Sequence, residues 1–161
     1  MSWRPPAGDH GVVLACENPA VVAAMTDRFG EAAPPIVCVD GMPSTAALLV
    51  LEQLSRDGHE IRYHGDFDWH GLTIAGVIAR KLPMIKPWRY GAVDYERAIE
   101  AGLGTLELSG RPSVSPWDED LAPAMAAAGR AVYEEQVLGD LLRDVPIATT
   151  DLAFVRPPHQ V

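Results

Sequence analysis

Positive charge is scarce in this chain. Its 161 residues carry 13 Lys and Arg against 22 Asp and Glu, a formal net charge of −9. Phosphate contacts from Lys and Arg supply much of the strength of nucleic-acid binding. Bulk charge alone therefore cannot hold DNA or RNA here. A phosphate-handling domain of this composition must import positive charge from divalent metals, a separate basic domain or a partner. Cysteine is also rare. Cys16 and Cys38 cannot build a disulfide framework, and both lie in apolar runs, which predicts reduced, buried thiols in a cytoplasmic protein. No apolar run approaches the roughly 18–20 residues that cross a bilayer. The leading residues, Met1-Ser2-Trp3-Arg4-Pro5-Pro6, have no apolar stretch, which predicts no signal peptide.

What is present is the balance of an ordinary globular domain, 48% hydrophobic and 22% charged. The length suits one domain, and the apolar content argues against disorder. Residues 1–10 read as a tail or linker, residues 11–145 as the domain, and residues 146–161 as a tail with one edge strand at Ile147 to Phe154.

The run from Gly11 to Cys16 is continuously apolar, as suits a strand covered on both faces of a parallel sheet. Asn18-Pro19 predicts a helix start, with Asn18 as N-cap, and Gly30 its end. The pattern repeats. Pro35 to Val39 reads as a strand and Pro43 to Leu54 as a helix, stopping near Asp57-Gly58. His59 to His64 reads as a third strand, Gly65 to Trp69 as a tight loop, and Gly71 to Leu82 as a third helix. Met84 to Tyr90 predicts a shorter fourth strand. Alternation of this kind predicts an α/β fold, with a central parallel sheet of about four strands flanked by helices. Later elements are a helix at Asp94 to Ala101, a strand at Thr105 to Leu108, a loop at Ser109 to Asp118, and helices at Asp120 to Gly129 and Ala131 to Arg143.

Open parallel sheets bind ligands at the carboxyl ends of their strands. Glu17 follows the first strand, Asp40 the second, and Asp66 and Asp68 the third. Carboxylates brought together repel one another and lose hydration. A divalent cation removes that penalty, and oxygen ligands suit Mg²⁺ or Mn²⁺. Residues i and i+2 of an extended segment face the same side, so Asp66 and Asp68 can share one ion or bridge two. Flanking Gly65 and Gly71 let the backbone approach a ligand closely.

Cys16-Glu17-Asn18-Pro19, together with Gly65-Asp66-Phe67-Asp68-Trp69-His70-Gly71, resembles the Toprim domain of topoisomerases, primases and related nucleases, in the form found in the topoisomerase VI A subunit. With Gly41 to Ala46 and Tyr63-His64 added, residues 11–145 are most similar to the C-terminal domain of JetD-like nuclease subunits of Wadjet-type plasmid defence systems. The resemblance implies a Toprim fold with a Rossmann-like sheet. It implies that Glu17 serves as general acid/base or metal ligand, and that Asp66 and Asp68 form the metal pair. A third aspartate of some Toprim domains is replaced by His70. Glu134 and Glu135 resemble an acidic segment of the nuclease relatives, with a supporting metal role. The implied cofactor is Mg²⁺ or Mn²⁺. The implied partners are DNA, held through further domains or subunits, and an SMC-like ATPase complex, with a homodimer as a further arrangement and no membrane contact. No separate winged-helix domain carrying a tyrosine is present, so hydrolysis is expected rather than transesterification. The relatives carry more N-terminal sequence, which makes this chain a fragment or a stand-alone domain that borrows a DNA-binding partner.

Each residue also has a plainer reading. Asp66 and Asp68 could be a solvated turn, Glu17 a helix-end anion, Asp40-Gly41 an ordinary turn pair, and Glu134-Glu135 a solvated helix face. Ser44 and Thr45 cap a helix. His64 and His70 serve as hydrogen-bonding neighbours, and Trp69 packs the loop on its helix. Lys81, Lys86, Arg89 and Arg111 are either DNA-backbone contacts or solvated charges. Two further readings compete with the nuclease: a catalytically inactive assembly module that keeps the Toprim shell, and, last, an Asp-nucleophile phosphatase, whose Asp-x-Asp usually follows the first strand.

Overall fold

A computed structural model describes residues 11–145 of the chain. The expected tail 1–10 and the edge strand at Ile147 to Phe154 lie outside the described residues. Four strands form one parallel sheet in the order β2-β1-β3-β4: β1 (Val12–Cys16), β2 (Ile36–Cys38), β3 (Glu60–Tyr63) and β4 (Lys86–Pro87). This is the α/β fold and strand number expected from the alternation.

The strand β1 is an inner strand, and four of its five side chains are buried. Val13, Leu14, Ala15 and Cys16 are fully enclosed, and truncating one of them, Leu14→Ala, removes about 2–5 kcal/mol of stability. The helix α1 (Pro19–Phe29) starts as predicted: the Asn18 side chain accepts from the Ala20 N–H, and Gly30 caps the end at φ 56°. The helix α2 (Thr45–Arg56) is capped by Ser44, whose hydroxyl accepts from the Ala47 N–H at 3.1 Å. The helix α3 (Trp69–Lys81) buries Leu72, Ile74, Ala75 and Ile78. It begins at Trp69 rather than Gly71, because Asp68 caps it and so shortens the predicted loop.

After β4 come α4 (Ala92–Glu100), β5 (Leu106–Glu107) and α5 (Leu121–Ala128). The single helix expected from Ala131 to Arg143 does not exist. Its start is the strand β6 (Arg130–Ala131), antiparallel to β5. Phe67 and Val132 then exchange both backbone hydrogen bonds, at 2.8 and 3.2 Å. Tyr133 is extended, a 3₁₀ turn spans Glu134–Gln136, and only α6 (Leu138–Arg143) is helical. Pairing with the Asp66–Asp68 loop outweighs the local helical preference of this stretch. Among the described residues no helix is long and apolar enough to cross a membrane.

Candidate metal centre

Because β1 and β3 are parallel neighbours, with Ala15 opposite Tyr63, their carboxyl ends lie on one edge. Glu17 is the first residue beyond β1, and Asp66 and Asp68 follow β3. The His64 N–H donates to Ala15 O at 3.0 Å and carries the pairing one residue past β3. Phe67, paired with Val132, then brings Glu134 beside Asp66.

Three carboxylates are linked through one another's backbones. The Glu17 N–H donates to Glu134 Oε1 at 3.2 Å, and the Asn18 N–H donates to Glu134 Oε2. The Glu134 N–H donates to Asp66 Oδ1 at 2.8 Å. The Asp66 backbone amide faces the Glu17 carboxylate and partly offsets its loss of hydration. Glu134 is wholly buried, so the expectation of a solvated helix face is corrected: the 3₁₀ turn points this residue into the sheet edge. Glu135 remains exposed, and its Oε2 accepts from the Asn18 side-chain amide at 2.8 Å. The short β-prone run Val132-Tyr133 after Gly129 was the available sign that no continuous helix stood here.

Crowding and burial raise the proton affinity of all three acids. Burial, then repulsion from Asp66 and Asp68, pushes Glu17 up to about 7. Burial pushes Asp66 up to about 6, with Asp68 and Glu135 adding repulsion and His70 opposing it. Burial outweighs two amide hydrogen bonds at Glu134 and pushes it up to about 9.

Carboxylate oxygens are the donors that hard divalent cations take. Glu17 Oε2 is buried with no hydrogen-bond partner, which a native structure seldom leaves so. Asp66 and Asp68 each give one oxygen, Oδ1, to a backbone amide, of Glu134 and of Gly71 respectively, and keep the other. Among the described residues no three Asp, Glu, His or Cys side chains are already gathered in a ligating cluster. Binding would thus require the carboxylates to turn inward, which relief of their mutual repulsion favours.

The flanking glycines make room for the protein itself rather than for an incoming ligand. A Cβ on Gly71 would lie 2.1 Å from the Asp66 carbonyl oxygen, which also accepts from the Tyr90 hydroxyl at 2.6 Å. Tyr63, His64, Phe67, Tyr90 and Trp117 form an aromatic floor with ring centroids 5.0–6.4 Å apart. His64 belongs to this floor: its Nδ1 is 2.8 Å from Trp88 O, and burial pushes it down to about 4, so it is neutral and Nδ1–H donates.

The other candidates stand apart from these acids. Asp40 follows β2, on the far side of β1 from β3, and is exposed at φ 55°. His70 is exposed in the first turn of α3. Lys86 is paired with Glu60, and Arg89 lies 3.5 Å from Asp94 and 3.7 Å from Asp144, whereas Lys81 and Arg111 are exposed.

No curated protein matches the sequence. A family model described as "Protein of unknown function C-terminus (DUF2399)" matches residues 1–145, and the chain belongs to that family.

Proposed function

We propose that this domain is a Toprim-type, divalent-metal-dependent DNA endonuclease that hydrolyses phosphodiesters. We further propose that it is the nuclease subunit of an SMC-associated anti-plasmid complex in the cytoplasm. The observation that supports the reading is that Glu17, beyond β1, lies on the same sheet edge as Asp66 and Asp68, beyond the neighbouring β3, and is close enough to feel the charge of both. The motif resemblance to JetD-like subunits supplies the biological setting.

Glu17, Asp66 and Asp68 would hold Mg²⁺ or Mn²⁺. When bound, such an ion supplies Lewis-acid activation of water and neutralises charge at the phosphodiester. The chain's own residues do the rest. Asp66 and Asp68 provide negative charge on an anchored loop, whose register is set by the Phe67–Val132 pair. Glu17 would act as a further oxygen ligand or, left free of the ion, as general acid/base; its raised proton affinity belongs to the metal-free chain. Glu134 fixes the turn that carries Glu17 by accepting two consecutive backbone amides. The net charge of −9 leaves most DNA-backbone contacts to partner domains or subunits.

The test is nicking of supercoiled plasmid with and without Mn²⁺, comparing the chain with Asp66→Ala. Metal-dependent nicking lost in the variant supports the reading, and equal cleavage by both defeats it. One observation favours the alternative of an inactive assembly module: four of the site's carboxylate oxygens are already engaged by backbone amides, so the edge holds its shape without a cation. That reading predicts no Mn²⁺ uptake in calorimetry.

A further inference from the structure

Tyr63 is the last residue of β3, and its side chain is wholly buried. Its ring meets Tyr90 edge-on and is tilted against Trp117, each at 6.0 Å between centroids. Its hydroxyl has no hydrogen-bond partner. Buried tyrosine hydroxyls usually find one, and every unsatisfied buried polar atom calls for an explanation. Glu17 Oε2 is the second such atom at this edge. The two crowd the same point, since a Cβ on Gly65 would lie 2.7 Å from Tyr63 Oη and 3.2 Å from Glu17 Oε2. One atom has a proton to donate and the other has lone pairs to accept it. Glu17 is also the foremost charge acting on the phenol.

We propose that Tyr63 is a positioning residue for Glu17: its O–H reaches Glu17 Oε2 through one bridging water, in the space that Gly65 leaves open between the two oxygens. The hydrogen bond orients the carboxylate from behind, as partners of metal-ligating groups commonly do. Its consequence for cation binding rests on the metal-centre reading; the hydrogen bond itself does not. Tyr63→Phe removes only the hydroxyl and keeps the ring packed on Tyr90 and Trp117.

Two measurements on the full chain decide the proposal. In calorimetry with MnCl₂, Tyr63→Phe binds about tenfold more weakly than the wild type, and Gly65→Ala, whose methyl would displace both oxygens, weakens binding similarly with the phenol intact. In thermal unfolding without metal, the melting-temperature shifts of Tyr63→Phe and Glu17→Gln are non-additive in the double variant. Unchanged Mn²⁺ affinity in Tyr63→Phe overturns the positioning role whatever Gly65→Ala does, and additive shifts overturn the hydrogen bond. A wild type that takes up no Mn²⁺ removes the metal-centre reading and the positioning role with it, while the unfolding cycle still decides whether Tyr63 and Glu17 are bonded.

Discussion

The backbone N–H of Glu134 donates to Asp66 Oδ1 at 2.8 Å, joining residues 68 positions apart in the chain. Glu134 in turn accepts from the amides of Glu17 and Asn18, so a single buried acid ties the ends of β1 and β3 to the segment after β6. Glu134→Ala leaves two amides without an acceptor and opens a cavity, and its expected cost is about 3 kcal/mol or more. Glu134→Gln keeps one acceptor and the size of the acid, and its cost falls between those of the wild type and Glu134→Ala. Urea unfolding of the three proteins checks this order.

Asp68 does two jobs that a pair of variants separates. Its Oδ1 accepts from the Gly71 N–H at 2.6 Å and caps α3. Asparagine caps helices as well as aspartate does. Asp68→Asn therefore unfolds close to wild type yet loses Mn²⁺ affinity, whereas Asp68→Ala also loses about 1 kcal/mol of stability. Equal Mn²⁺ affinity of wild type and Asp68→Asn, by calorimetry, would remove Asp68 from the ligand set.

Gly71→Ala sets a methyl 2.1 Å from the Asp66 carbonyl oxygen, against backbone that cannot swing aside. Overpacking of this kind costs about 2–3 kcal/mol. Gly76→Ala, in the middle of the same helix, meets only the end of the Arg80 side chain at 3.4 Å and stabilises by about 0.5–1 kcal/mol through helix propensity. Melting temperatures of the two variants, moving in opposite directions, test the geometry at the start of α3.

The raised acids give the metal-free chain a definite pH dependence. Glu134, near 9 when folded against an ordinary 4.5, keeps in the folded state a proton that the unfolded chain releases. Its contribution is therefore fully present below the ordinary glutamate range and is lost as pH rises toward 9. Glu17 acts in the same sense up to about 7. Neutral His64, pushed down to about 4, acts in the opposite sense, but only below its ordinary 6.5. Between pH 7 and 8, below the ordinary thiol range of Cys16 and Cys38, the slope is that of the acids, and stability falls by about 1 kcal/mol per pH unit. Glu134→Gln flattens that slope. A melting temperature that rises over this range in the metal-free wild type contradicts the arrangement.

Much of this was legible in the residues, for identifiable reasons. Continuous apolarity from Val12 to Cys16, Asn18-Pro19 at a helix start and the repeated alternation all reflect local physics, and the parallel sheet followed from them. Glu17, Asp66 and Asp68 were legible because position after a strand is encoded in sequence order. Glu134 was singled out only through the motif resemblance, and its burial was not legible, since its place depends on Val132 pairing with Phe67, a contact between distant segments. The helix read from Ala131 to Arg143 failed for that reason. Nor could periodicity show that Gly71 makes way for the Asp66 carbonyl, or that the Tyr63 hydroxyl and a Glu17 carboxylate oxygen both lie against Gly65.

The account depends on a cation held between the ends of β1 and β3, and anomalous diffraction at the manganese edge from crystals soaked in Mn²⁺ tests that most directly. The predicted result is an anomalous peak within about 2–2.5 Å of carboxylate oxygens of Glu17 and of Asp66 or Asp68. Strong Mn²⁺ peaks elsewhere on the chain, with none at these three residues, would contradict it.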